Sequence, residues 1–112
     1  MTRISLVLSL FASSLLVATP ASAHRLVSPS DWSRVMKVHR CEESSWTVSG
    51  AVYQGGLGWL HSTWLRYRAP WMPTWANLTT PQEQAWAMVR FVNETLHYWP
   101  HQGWPRTCGA GY

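Results

Sequence analysis

The sequence predicts a small, mainly α-helical single domain with a glycine-rich segment near its centre. Three observations lead to this fold class. Apolar residues recur at helical spacing in two stretches, and each stretch begins with a capping residue followed by proline. Between them, residues 44–58 contain four glycines, too many for a helix. The chain has 112 residues, which is enough for one hydrophobic core.

The N-terminus has the pattern of a secretory signal. Arg3 precedes an apolar run over residues 4–18, and an A-x-A motif follows at 21–23. A basic start, a run too short to span a bilayer and a small-residue cleavage site are typical of such signals. We expect residues 1–23 to be removed and residues 24–112 to be a secreted domain, extracellular or wall-associated and without stable membrane insertion. A retained membrane anchor is the alternative.

Export also affects the interpretation of the cysteines and the charge. Cys41 and Cys108 are the two cysteines, and thiols in an oxidising compartment tend to pair, so we expect one disulfide. In the chain-entropy model a bridge over so long a loop stabilises by about 4 kcal/mol. Removal of residues 1–23 takes away one Arg and no acidic residue, so the formal net charge falls from +4 to +3, and this mild cationic excess suits an anionic wall polymer. The basic residues are scattered, so we expect no nucleic-acid binding.

The first predicted helix begins at Ser28, a capping residue followed by proline. Apolar residues then recur on one face from Trp32 to His39. Continuing that winding places Glu42 near the apolar face, whereas Glu43 is turned about 100° away. The pattern therefore predicts that Glu42 is partly buried and that Glu43 is solvated.

The glycine-rich segment is expected to be extended or hairpin-like. Gly55-Gly56 would let the backbone approach a ligand closely, and an ordinary tight turn is the alternative. A short helix is predicted over residues 60–68. A loop over residues 69–78 follows it and carries Trp71 and Trp75.

The last predicted helix is expected to be the longest. Thr80-Pro81-Gln82-Glu83 forms a capping box with proline in the first turn. An apolar stripe then runs from Ala85 to Trp99, and Pro100 is expected to end the helix.

Glu42 is the residue whose predicted position suits catalysis. Cleavage of a glycosidic bond needs a proton for the leaving oxygen, and a partly buried carboxyl group can supply it. The usual second carboxylate is hard to find, because Asp31 and Glu83 are predicted caps, Glu94 lies within a helix and Glu43 is too close. A one-acid mechanism is favoured, in which an N-acetyl oxygen of the substrate replaces the enzyme nucleophile. The alternative is that Glu42 is an ordinary surface residue.

Other chemistries have weaker support. His97 and His101 have the i, i+4 spacing of a zinc pair, but Pro100 interrupts the helix between them and no third ligand is evident. A Ser-His-Asp hydrolase would have to use the single Asp, and no G-x-S-x-G motif is present. No metal and no cofactor are therefore expected.

Six short motifs occur in one order through most of residues 24–112. They are Cys41-Glu42, Trp46, Tyr53 with Gly55-Gly56-Leu57, Ser62-Thr63-Trp64, Glu83-Gln84, and Gly103-Trp104-Pro105 before Cys108. In this order they resemble the resuscitation-promoting-factor-like transglycosylase domain of actinobacteria. The resemblance implies a small α+β, lysozyme-like fold that cleaves the glycan strands of peptidoglycan.

The resemblance also implies residue roles. Glu42 matches the family's catalytic acid, and Cys41 and Cys108 match its disulfide. The expected substrate contacts are Tyr53, Gly56, Thr63, Trp64 and exposed tryptophans such as Trp59. The protein is expected to be a monomer that acts on peptidoglycan, with a wall endopeptidase as a possible partner.

This chain departs from the family pattern at several points. The glutamine that usually follows Gly-Gly-Leu is Gly58 here, and the loop over residues 71–78 is longer than usual. The sequence leaves open whether the product is hydrolysed or cyclised to an anhydro sugar. Two other functions also remain open: a wall-binding or signalling module that has lost turnover, and a tryptophan-rich, cationic membrane-active protein.

Overall fold

The computed structural model describes residues 26–103, and helices dominate that part of the chain. The elements, in chain order, are α1 (Pro29–Glu42), β1 (Tyr53–Gln54), β2 (Trp59–Leu60), α2 (His61–Tyr67), a 3₁₀ turn (Ala76–Leu78), α3 (Pro81–Phe91) and a π-helical turn (Val92–Leu96). The two strands pair antiparallel. A mainly helical α+β domain is therefore confirmed, with its short hairpin inside the glycine-rich segment.

Two predictions fall on residues outside the described range. The signal sequence at residues 1–23 is one, and Cys108, the expected partner of Cys41, is the other. Both stay predictions. Within residues 26–103, no helix has the length and the apolar character needed to cross a membrane.

Helix α1 forms as the sequence predicts. The Ser28 hydroxyl accepts a hydrogen bond of 3.1 Å from the backbone N–H of Asp31, which caps the first turn. At the other end Glu43 is extended, and its N–H donates to the His39 carbonyl at 2.9 Å. Glu42 is thus the last helical residue, three positions after His39. The face that α1 buries consists of Val35, Val38 and His39.

Helix α3 begins as predicted and ends earlier. Thr80 accepts from the N–H of Glu83 at 3.2 Å, which confirms it as the helix cap, and its hydroxyl donates to the Glu83 carboxylate at 2.9 Å. The α-helical part has 11 residues and the π-helical turn continues it directly to Leu96, so the expectation that the helix runs to Pro100 is wrong. The α-helical bonding gives way to the π-helical turn, which His97 closes in the left-handed region at φ 60°.

The core lies between the three helices and the hairpin. Trp59 and Trp64 are fully buried in it, and their rings meet edge to face with centroids 5.6 Å apart. The indole N–H of Trp64 donates to the Pro73 carbonyl at 3.0 Å, which ties the loop over residues 69–78 to α2. Because a buried tryptophan removes roughly 150–250 Å² from water, these two rings are a large part of the hydrophobic stabilisation.

Candidate active site

The turn of the hairpin is fixed against α3 by Gln84. Gly55 and Gly58 adopt positive φ values of 74° and 68°, which the turn requires and which glycine adopts without strain. Gln84 is fully buried, and its Oε1 accepts from the N–H of Gly56 at 2.8 Å. Its Nε2 donates to the Trp46 carbonyl at 3.0 Å. The hairpin therefore has a fixed position relative to the helices.

Gly56 is held from the other side by His39. The Nδ1–H of His39 donates to the Gly56 carbonyl at 2.7 Å, because a carbonyl can only accept. The imidazole also stacks on Trp46, with ring centroids 4.1 Å apart and planes 10° apart. A Cβ on Gly56 would collide with both rings. Both backbone polar groups of Gly56 are bonded within the protein, so the tight-turn alternative describes this residue better than a glycan contact.

The carboxyl group of Glu42 lies at the end of α1, between the hairpin turn and the C-terminal segment. Its Oε1 is 2.7 Å from Nε2 of His101, and the side chains of His101 and Glu42 are 6% and 10% exposed. Its Oε2 lies 3.0 Å from the point where a Cβ on Gly58 would stand. We call Glu42, Gly58 and His101 the Glu42 cluster. The low exposure agrees with the predicted partial burial, and the catalytic role of Glu42 stays a prediction.

The cluster contains a single carboxyl group that is hydrogen-bonded to an imidazole. Each partner can donate or accept, so a proton can reside on either one. The other acidic side chains in the chain have different positions or partners. Asp31 pairs with Arg34, Glu94 pairs with Arg90, Glu83 caps α3, and Glu43 follows Glu42 in the chain. The arrangement suits a one-acid mechanism better than a pair of facing carboxylates.

His101 is the residue of this cluster that the sequence did not reveal. Its spacing from His97 suggests only a zinc ligand, and between residues 26 and 103 no three His, Cys, Asp or Glu side chains group together as a metal site would require. Its backbone is left-handed, with φ 59°. One signal was present: His101 lies seven positions before Cys108. The predicted bridge to Cys41 would bring that segment to the end of α1.

Two predicted substrate contacts lie in the core. Trp59 and Trp64 are both 0% exposed, so the expectation that Trp59 is exposed is wrong, and neither ring offers a face to a sugar. Tyr53 and Thr63 are half-buried. Thr63 lines a cavity of about 230 Å³ that Glu42 does not line. The roles of Tyr53 and Thr63 stay predictions.

The exposed tryptophans lie on the loop over residues 69–78 instead. Trp71 is 76% exposed and Trp75 is 42% exposed. The sequence predicts both of them on this loop, which contains Pro70 and Pro73. A ring on a loop is more often accessible than a ring on the apolar face of a helix.

Comparison with known proteins gives no relative. No family model, no curated protein and no solved structure matches this chain.

Proposed function

We propose that this protein is a secreted enzyme that cleaves the glycan strands of peptidoglycan, as a glycosidase or lytic transglycosylase of lysozyme-like fold. The observation that carries the proposal is the Glu42 carboxyl group, which is 10% exposed and bonded to His101 at 2.7 Å. The order of motifs around it supports the same function. The predicted Cys41–Cys108 disulfide would hold the C-terminal segment, and with it His101, against the end of α1.

In the proposed reaction Glu42 transfers protons in two steps. Its carboxyl group first protonates the oxygen that leaves as the glycosidic bond breaks, while the N-acetyl oxygen of the substrate bonds to the anomeric carbon. The carboxylate then removes a proton from water or from a hydroxyl of the same sugar, and that oxygen bonds to the anomeric carbon as the bond to the N-acetyl oxygen breaks, which gives a hydrolysed or an anhydro product respectively. General acid catalysis of this kind typically contributes roughly 10²–10⁴-fold. His101 acts as a positioning residue that orients Oε1.

The test compares two neighbouring carboxylates. The protein is purified from the medium of a secreting host, and release of soluble fragments from purified sacculi is measured for the wild type, Glu42→Gln and Glu43→Gln. We expect Glu42→Gln to lower the rate by about 10²-fold or more, since its amide cannot donate the proton, and Glu43→Gln to leave the rate within about twofold. Equal rates in all three proteins would reject the assignment. Mass analysis of the fragments separates hydrolysed ends from anhydro ends.

One observation favours a second candidate, a peptidoglycan-binding or signalling module without turnover. Both oxygens of the Glu42 carboxyl group have close neighbours, since Oε1 contacts His101 and Oε2 faces Gly58. A carboxyl group enclosed in this way has less room for a glycan. This candidate predicts that the protein binds sacculi and releases no fragments.

Variants of His101 separate the two candidates. If Glu42 is catalytic, His101→Ala should lower the rate by about 10²-fold through misplacement of the carboxyl group. His101→Gln retains an N–H donor and should recover most of that loss. If the protein only binds the wall, neither the wild type nor either variant releases fragments, and sacculus binding is the same in all three.

A further inference from the structure

A second cavity, of about 350 Å³, lies between the segment before β1 and the loop over residues 69–78. It is lined by residues 49–51, Gln54, Trp75, Asn77 and Leu78. We call it the Trp75 cavity. Its volume lies at the lower end of the range for small-molecule pockets. It contains no member of the Glu42 cluster, and Trp75, Asn77 and Leu78 belong to the loop that is longer than in the family the sequence resembles.

Trp75 provides this cavity with a flat apolar wall. One face of its ring stacks on the His61 imidazole, with centroids 3.6 Å apart and planes 13° apart. The side chain is nevertheless 42% exposed. A ring that is stacked on one face and still 42% exposed is a rigid platform that costs little conformational entropy when a ligand binds. Such a platform suits a ligand that is itself flat and apolar on one face.

Gln54 contributes an unpaired hydrogen-bond acceptor. Its side chain is 4% exposed, and its Nε2 donates to the Gly50 carbonyl at 2.9 Å, which fixes the orientation of the amide. Its Oε1 has no hydrogen-bond partner among residues 26–103. A buried acceptor left unpaired costs about 1–3 kcal/mol, so this oxygen favours a ligand or a water molecule that can donate a hydrogen bond to it.

The lining of the Trp75 cavity is polar and uncharged. Ser49 supplies a hydroxyl group, Asn77 supplies an amide, and none of the lining residues is Asp, Glu, Lys, Arg or His. An anionic ligand such as a phosphate would find no cation there to compensate its loss of hydration. The required ligand is therefore neutral, rich in hydroxyl or N–H donors, and apolar on one face. A pyranose ring has these properties.

We propose that the Trp75 cavity is a binding site for a neutral pyranoside, with the sugar ring stacked on Trp75 and a hydroxyl or N–H group donating to Gln54 Oε1. The site holds a sugar without acting on it, because its lining contains no titratable side chain. The proposal goes beyond the proposed function and holds whether or not Glu42 is catalytic.

The test measures binding to the whole purified chain by isothermal titration calorimetry, with N,N′,N″-triacetylchitotriose and cellotriose as probes. We expect saturable binding of at least one of them and an affinity about tenfold lower in Trp75→Ala, the loss expected for one aromatic contact. Trp71→Ala is the matched control, because Trp71 lies on the same loop, is 76% exposed and does not line the cavity. Its affinity should stay within about twofold of the wild type, well below the loss of an aromatic contact.

Two further variants test the details. Gln54→Met removes the acceptor at similar side-chain length and should also weaken binding, with thermal melting used to show that it is folded. Glu42→Gln should bind cellotriose, which lacks the N-acetyl group of the proposed substrate, as the wild type does, so loss of wall digestion and loss of binding are separable results. The proposal is overturned if neither probe binds, if Trp75→Ala binds as the wild type does, or if Trp71→Ala loses as much. Unchanged binding in Gln54→Met would overturn the contact with Oε1 and leave a water molecule as its partner.

Discussion

The Glu42 cluster and the Trp75 cavity both use residues of the same hairpin, and they differ in how completely their polar atoms are paired. Gly58 lies against Glu42, whose carboxyl group is 10% exposed and bonded to His101. Gln54, four residues earlier, lines an open cavity with one amide oxygen unpaired. The hairpin thus lies against a carboxyl group whose oxygens have close neighbours, and it carries a buried acceptor without a partner among residues 26–103 at the wall of a cavity. Proton transfer and sugar capture would then be separate tasks of one short segment.

The prediction with the largest expected effect compares Trp59, a buried residue of the hairpin, with Trp75, which lines the Trp75 cavity. Trp59→Ala removes a fully buried ring and should lower the free energy of unfolding by about 3–5 kcal/mol. Trp75→Ala removes a ring that is 42% exposed and should cost about 1 kcal/mol or less. Urea denaturation followed by circular dichroism measures both.

Similar losses in the two tryptophan variants would contradict the comparison. They would mean that Trp75 is as much a core residue as Trp59, and the Trp75 cavity would then be a packing defect instead of a site. The slope of the free energy against urea should be the same for both variants, so that the difference reports native-state packing.

The second prediction compares the loss in the free energy of unfolding when each of two buried glutamines is replaced. Gln84 uses its amide to bind the Gly56 N–H and the Trp46 carbonyl, so Gln84→Met leaves buried groups unpaired and should cost about 2–3 kcal/mol. Gln54 makes one bond, to the Gly50 carbonyl, and already has an unpaired oxygen. Gln54→Met should therefore cost about 1 kcal/mol or less. Chemical denaturation of the two variants side by side measures the difference.

A cost for Gln54→Met equal to that of Gln84→Met would contradict this reasoning. It would indicate that Oε1 of Gln54 is well paired in solution, by a tightly held water molecule, and it would weaken the case for a ligand contact there. A cost near zero would strengthen that case, since the acceptor would then contribute nothing to the free protein.

Local signals in the sequence predicted much of the fold. Ser28 and Thr80 mark helix starts because each places a hydroxyl group where backbone N–H groups lack partners, and this depends on a few adjacent residues. The position of Glu42 followed from helical periodicity for the same reason. These predictions need no knowledge of what packs against the helix.

The features that the sequence did not predict correctly depend on contacts between distant parts of the chain. The sequence predicts Trp59 to be exposed to a sugar because no local pattern shows which tryptophans are buried in the core. His101 lies 59 positions from Glu42, and no periodicity connects them. The π-helical turn after Phe91 depends on how the end of α3 packs, and the apolar stripe alone favours a continued α-helix. Long-range packing decides each of these, and a single sequence does not encode it in a readable pattern.

The smallest expected effect concerns Gly58, the hairpin residue of the Glu42 cluster. Its φ of 68° disfavours a side chain, and a Cβ would stand 3.0 Å from Oε2 and 3.4 Å from Cδ of Glu42. Gly58→Ala should cost about 1–2 kcal/mol from the left-handed backbone, and the carboxyl group must shift by a few tenths of an ångström. Gly103→Ala is the control, because within residues 26–103 no atom beyond its chain neighbours lies within 4 Å of its Cβ position.

A double-mutant cycle separates backbone strain from the contact with Glu42. In a Glu42→Ala background Oε2 and Cδ are absent, so Gly58→Ala should cost only the strain and should be less destabilising than in the wild type. Equal costs in the two backgrounds would mean that Glu42 moves freely and is not held against the hairpin. A smaller cost in Glu42→Ala would show that the closed position of the carboxyl group depends on a glycine at residue 58.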